Sequence, residues 1–262
     1  TYINSNCNNN NNNKIRPLEV YPLYATLLQS VQNLAFGIKN KLARKVVVST
    51  NIAETSLTID GVVFVIDCGL SKQKIYWPSK GLEALGIREI SKASVKQRIG
   101  RAGRTKPGKA YHLYTRHGYI DLLNESRPEI LRSSLVNETL SMLALGIKNP
   151  VKFDYIDPPN EFTLARAIWI LWNLNAVNDN GNITDLGREI SKFPVDPRMA
   201  KCIITSVKNK CVLETIVIAS MLEIKDKLYK RGYKKKSELI EQKKKFYHIT
   251  GDHLTLLNVY HA

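Results

Sequence analysis

The stretch Gln97-Arg98-Ile99-Gly100-Arg101-Ala102-Gly103-Arg104 places three arginines, two glycines and a leading glutamine within eight residues. A core segment has no use for so many cations, and a plain solvated face has no use for the glycines. Glycine permits close backbone approach, and each guanidinium offers a planar fork of donors that matches phosphate oxygens. The stretch therefore reads as a grip on phosphate, of a nucleotide or of a nucleic acid, with a basic surface turn as the alternative. A second polar cluster, Ser49-Thr50-Asn51, closes a β-branched run. Its short hydroxyl and amide groups suit phosphate contacts that carry little sequence information.

Composition favours a polyanionic partner. The 262 residues carry 39 Lys and Arg against 23 Asp and Glu, a net charge of +16, and so basic a surface attracts nucleic acid. The four cysteines form no C-x-x-C pair and the five histidines show no zinc-ligand spacing. Reduced thiols in an intracellular protein are expected. No apolar run approaches the roughly 20 residues that cross a bilayer, so no membrane partner is expected. Two decoys fall away. Gly103-Arg104-Thr105-Lys106-Pro107-Gly108-Lys109-Ala110 has the G-x-x-x-x-G-K frame of a P-loop. Ala110 lacks the hydroxyl that holds Mg²⁺, and no buried strand precedes the frame. Gly100–Gly103 fits a GXXG loop but lacks the βααβ setting of a KH module.

The elements that must position these residues follow from pattern. The asparagine run Asn8–Asn13 is low-complexity and expected to be disordered. Tyr21–Phe36 is expected as a helix. Lys45–Thr50 and Gly61–Asp67 read as buried parallel strands joined through a loop and short turn at Asn51–Leu57. That grammar is α/β, and ligands then sit beyond the carboxyl ends of the strands. Lys72–Tyr76 and Leu82–Ile90 suit a hairpin turning at Pro78–Gly81, and Lys109–Tyr114 a further strand. Beyond Arg127-Pro128 the pattern turns helical: Glu129–Leu145, Thr163–Leu174, Leu186–Lys192, Met199–Ser206 and Glu214–Leu222. Short strand-like pieces between the first three suit a winged helix. Lys225–Lys236 is a strongly basic run, expected as a solvated face. The chain stops within an apolar-periodic segment, Leu254–Ala262, without a cap, and it is expected to be cut there.

Ser49-Thr50-Asn51-Ile52-Ala53-Glu54-Thr55-Ser56-Leu57-Thr58-Ile59, followed by Gln97–Arg104, resembles motifs V and VI of the DEAH-box RNA helicases. Arg127–Ser133, Asp157-Pro158-Pro159, Leu186-Gly187-Arg188, Phe193–Pro197 and Gly251–Tyr260 resemble the same family, in its splicing and ribosome-assembly group. The resemblance runs from Tyr21 to the end. It implies an α/β RecA-like lobe, a parallel sheet with helices and a β-hairpin insertion, then a winged helix and the start of a helical ratchet bundle. The expected division is 1–16 disordered, 17–127 the second RecA-like lobe, 128–194 the winged helix and 195–262 the ratchet.

The resemblance further implies that Gln97, Arg101 and Arg104 face the γ-phosphate of ATP, while Arg98 serves the fold or a neighbouring acid. Asp60 matches a carboxylate that bonds the ribose, and Phe36 an aromatic that stacks on adenine. Ser49, Thr50 and Asn51 match positions at the RNA backbone. Two departures stand out: Trp77 at the hairpin turn and the segment Gly37–Ala43. ATP with Mg²⁺ is the implied cofactor, its metal ligands expected in a first RecA-like lobe. Neither G-x-x-x-x-G-K-[ST] nor Asp-Glu-Ala-His occurs here, so this polypeptide alone is expected to be inactive. The implied partners are RNA, that first lobe and a glycine-patch activator, and the implied location is the nucleus. The alternative is a non-catalytic RNA- or protein-binding module. A DEAD-box helicase fits less well, because its core lacks the helical extension after Arg127.

Overall fold

The computed structural model describes residues 16–37, 42–55, 58–104, 106–228, 241 and 244–262. The asparagine run lies outside them, as does the basic run Lys225–Lys236 apart from the backbone of 225–228. The chain divides into two compact units, Thr1–Lys72 with Ile87–Ser126, and Gln73–Gly86 with Arg127–Ala262.

The first unit is built on parallel strand pairs. Strand β1 (Leu18–Leu23) pairs with β2 (Arg44–Ser49), in a register that sets Val20 opposite Val46 and Leu23 opposite Ser49. Helix α1 (Gln29–Phe36) makes the crossover. A four-residue helix α2 (Ile52–Thr55) follows β2, and strand β3 (Phe64–Asp67) pairs parallel with β6 (Lys109–His112). In chain order β3 is followed by the hairpin β4 (Leu70–Trp77) and β5 (Leu82–Glu89), of which Gln73–Gly86 belongs to the second unit, then by helix α3 (Lys92–Ile99) and, after β6, by helix α4 (Arg116–Asp121).

One expectation is corrected here. The predicted helix over Tyr21–Phe36 is strand as far as Leu23, and helical only from Gln29. Proline is tolerated in a first helical turn, so Pro22 does not decide the matter; the ladder that β2 supplies to the Leu18–Leu23 backbone does. Gln32 then anchors the turn between strand and helix, donating to the Leu27 carbonyl at 2.8 Å.

The second unit is helical. The expected helix over Glu129–Leu145 is split: a 3-10 turn, Glu129–Leu131, precedes α5 (Val136–Ala144). Ser133 turns its hydroxyl back to the Glu129 carbonyl at 2.7 Å, and the Ser134 N–H donates to Glu83 at 2.6 Å. Side-chain competition for the backbone of this kind ends helices. Helices α6 (Glu161–Asn173) and α7 (Asp185–Ser191) pack with α5 around Leu140, Leu164, Leu171, Val177 and Ile190. A single antiparallel bridge joins Val177 and Ile183 between them. Asp196 caps α8 (Pro197–Lys208), which is followed by α9 (Val212–Leu228) and α10 (Asp252–Tyr260). No described helix is long and apolar enough to cross a membrane.

The false P-loop has a structural explanation. A Cβ on Gly108 would lie 2.3 Å from the Ala102 carbonyl oxygen and 2.6 Å from that of Val63. Gly108 is therefore required by close backbone packing just before Lys109, whose N–H donates to Val63 at 2.8 Å. Gly108→Ala should destabilise the chain by about 1–3 kcal/mol through overpacking, as measured by urea denaturation. A neutral effect would contradict the packing role.

Candidate functional site

Helix α3 carries the cationic stretch, and its start is fixed from several sides. Ser91 accepts from the Ser94 N–H at 3.2 Å, and its hydroxyl meets that of Ser126 at 3.0 Å. The N–H groups of Lys92 and Ala93 donate to the carbonyls of Leu123 and Asn124 at 2.8 and 3.0 Å. Val95, Ile90 and Leu122 form a small core beneath. Helix α3 ends at Gly100, and turn bonds from Arg101 to Arg98 and from Ala102 to Ile99 carry the chain onward.

The three arginines, alike in sequence, occupy three different environments. Arg98 is held between two acids: its Nε donates to Glu54 at 3.0 Å and its Nη1 to Asp67 at 2.7 Å, with the Leu70 carbonyl at 3.3 Å. The Asp67 side chain is 1% exposed. It also accepts from the Gly69 N–H at 3.0 Å and the Tyr114 hydroxyl at 3.1 Å, and His112 Nδ1 stands 3.8 Å away. Burial pushes the Asp67 carboxyl up, but the Gly69 N–H, Arg98 and Tyr114 together hold it below the usual carboxylate value. Burial alone would lower the Arg98 guanidinium, and the two carboxylates raise it instead. Burial and the charge of Asp67 push the Tyr114 phenol well up. Gly69, at φ +73°, lies under the Tyr114 ring, where a Cβ would come within 2.7 Å of Cδ1.

Among the described residues, Arg101 and Arg104 have only neutral acceptors. Arg101 Nη2 donates to the Glu54 carbonyl, and Arg104 Nη1 to the Thr58 hydroxyl. Arg101 Nη1 is buried with no hydrogen-bond partner among the described residues. Leaving such a donor unmatched costs about 1–3 kcal/mol, so the position is poised for an acceptor. Gln97 is exposed on α3, one turn before Arg101, and Arg104 is exposed beyond the helix. Two guanidiniums, which can only donate, and an amide that can offer its NH2 group fit phosphate oxygens.

The other predicted residues sit around α2 and its neighbours. Ser49 ends β2, its hydroxyl donating to the carbonyls of Leu23 and Thr50 at 3.1 and 2.9 Å. The Thr50 N–H donates to Leu23 at 3.1 Å, and the Asn51 carbonyl accepts from the Glu54 N–H at 3.0 Å. All three are exposed at the carboxyl end of the strand. Asp60 is exposed in the turn before β3, and Phe36 is half-buried at the end of α1. Among the described residues neither Asp60 nor Phe36 hydrogen-bonds to the arginines, whereas α2 packs directly on α3. Glu54, Thr58, Asp67 and Tyr114 were not singled out from sequence. The spacing of Glu54 and Thr58 around a turn facing a cationic stretch was the available signal for two of them.

Three domain families match the chain. Residues 4–106 match the helicase conserved C-terminal domain, 167–195 the winged-helix part of the helicase associated domain (HA2), and 196–256 its ratchet-like part. Two solved structures superpose on it: the Escherichia coli DExH-box NTPase HrpB, and the same bacterium's HrpB described as a DEAH/RHA helicase. Each is 33% identical with a TM-score of 0.72 over 79% of this chain. The chain belongs to the DEAH-box helicase family. It consists of a RecA-like lobe with parallel strands followed by winged-helix and ratchet-like domains. It spans 25% and 26% of the lengths of the two HrpB structures.

The Arg98 cluster makes a measurable prediction. Asp67→Ala leaves Arg98 short of a buried partner and should cost about 3 kcal/mol, measured by chemical denaturation. The folded Asp67 ionises below its unfolded value, so its stabilisation is complete above about pH 4. It is lost as pH falls through the folded value. The variant should therefore lose part of the wild-type acid sensitivity, and an unchanged acid limb would contradict the assignment.

Proposed function

We propose that this chain is part of an ATP-dependent RNA helicase, in which Arg101, Arg104 and Gln97 face the γ-phosphate and Ser49, Thr50 and Asn51 hold the RNA backbone. The observation that carries the reading is the contrast between Arg98, saturated by two carboxylates, and Arg101, with a buried donor lacking a partner. ATP, when bound, supplies the transferable phosphoryl group, with Mg²⁺ held by a first RecA-like lobe that carries the P-loop. The role of this chain is then electrostatic: preplaced guanidiniums meet charge on the phosphoryl oxygens without reorganising at the moment of reaction. Asp60 would hold the ribose and Phe36 stack on the base. At the other end of α2, hydroxyl, amide and backbone donors would grip RNA phosphates without reading bases.

The division into a RecA-like lobe over 17–127, a winged helix over 128–194 and a ratchet over 195–262 is supported by the family matches. Work on RNA or RNA–protein complexes in splicing or ribosome assembly, a nuclear location and a glycine-patch activator follow only from the group that the motifs resemble. These 262 residues contain no P-loop or Asp-Glu-Ala-His motif. Alone they should show no RNA-stimulated ATP hydrolysis, and turnover by a clean preparation would contradict the reading. In a protein joining this chain to its P-loop lobe, Arg101→Ala and Arg104→Ala should each lower kcat by at least about 10²-fold. RNA affinity, measured by fluorescence anisotropy, should change little. Unchanged hydrolysis would defeat the assignment.

A further inference from the structure

Arg101 and Arg104 are held where they are by Glu54 and Thr58, and the kind of bond matters. Arg98 is charge-paired to two carboxylates and only 15% exposed, so a phosphate offers it nothing it lacks. Among the described residues, Arg101 and Arg104 each donate a single bond to a neutral oxygen, the Glu54 carbonyl and the Thr58 hydroxyl. A neutral oxygen takes one N–H from a guanidinium, whereas a phosphate brings opposite charge and can accept two parallel N–H bonds at once, and it would in addition satisfy the orphaned Nη1 of Arg101. We infer that the Glu54 carbonyl and the Thr58 hydroxyl are internal stand-ins for phosphate, parking the two arginines until a phosphate displaces them. The inference rests on the proposal that Arg101 and Arg104 bind phosphate, and it adds a resting state and an exchange.

The exchange has a route to the other end of α2. Glu54 is a junction: its carboxylate holds Arg98, its carbonyl holds Arg101, and its N–H donates to the Asn51 carbonyl at 3.0 Å. Departure of Arg101 removes one of these ties while Arg98 keeps α2 attached to α3. Phosphate therefore loosens the seat of Asn51 without detaching it. Thr58 acts as a positioning residue, through Arg104 and not through contact with a reacting atom.

The test is calorimetric titration of the 262-residue chain with inorganic tripolyphosphate, at an ionic strength that screens its general positive charge. Thr58→Val removes the parking acceptor and should tighten binding about fivefold, the equivalent of about 1 kcal/mol. Thr58→Ser should restore wild-type affinity. The double variant Arg101→Ala, Arg104→Ala should lose the specific binding. If the double variant loses binding while Thr58→Val binds no tighter than wild type, the parking role is overturned and the phosphate grip stands. If the double variant binds like wild type, the phosphate grip itself fails. Nitrogen-15 NMR of the arginine side chains gives a second readout on unmutated protein. Tripolyphosphate should shift the Arg101 and Arg104 signals and leave that of Arg98 in place, and a shift confined to Arg98 would overturn the inference.

Discussion

The Arg98 guanidinium, bonded at once to Glu54 on α2 and Asp67 at the end of β3, is the interaction on which the site depends. It joins three elements that the chain delivers separately: a short helix after one strand, the tip of another strand, and the helix that carries the cations. A buried ion pair is a weak source of net stability, because desolvation offsets most of the attraction. Its value here is geometric. With Asp67 fixed by Gly69 and Tyr114, and Glu54 fixed by Arg98, the backbone from Arg101 onward has a defined place relative to α2.

That placement separates two chemistries across a few residues. On the α3 side the groups are donors with spare capacity, suited to the concentrated charge of a terminal phosphate. On the β2 side they are short polar groups at an exposed strand end, suited to the spaced phosphates of a nucleic-acid backbone. Helix α2 is only four residues long, so a change in the bonds at Glu54 has little structure to dissipate in before it reaches Asn51. Coupling between the two ends needs no long pathway.

Much of this was legible in the sequence, and the exceptions have physical causes. The apolar runs ending at Ser49 and Asp67 are unbroken, so the strands could be read directly, as could the hairpin from its Pro78–Gly81 turn; the expected burial was not met, since Val48, Phe64 and Ile66 are exposed. The start of the Tyr21–Phe36 segment could not, because helical spacing persists across Pro22 while the pairing that overrides it lies with Val46 and Val48, far along the chain. The break before α5 came from Ser133 and Ser134, whose competing bonds involve Glu129 and the distant Glu83. Within the site, residue types point to a phosphate grip. The resemblance to motif VI set Arg98 apart from Arg101 and Arg104, but which acids hold it depends on where Glu54 and Asp67 fall in space, and spacing along the chain does not encode that.

The most direct test is a crystal structure of this chain joined to its P-loop lobe, with ADP and a γ-phosphate mimic bound. Arg101 and Arg104 should lie within hydrogen-bond distance of the mimic, having left Glu54 and Thr58, while Arg98 remains on Glu54 and Asp67. A structure in which Arg98 turns to the mimic, or in which Arg101 and Arg104 point away from it, would contradict the account.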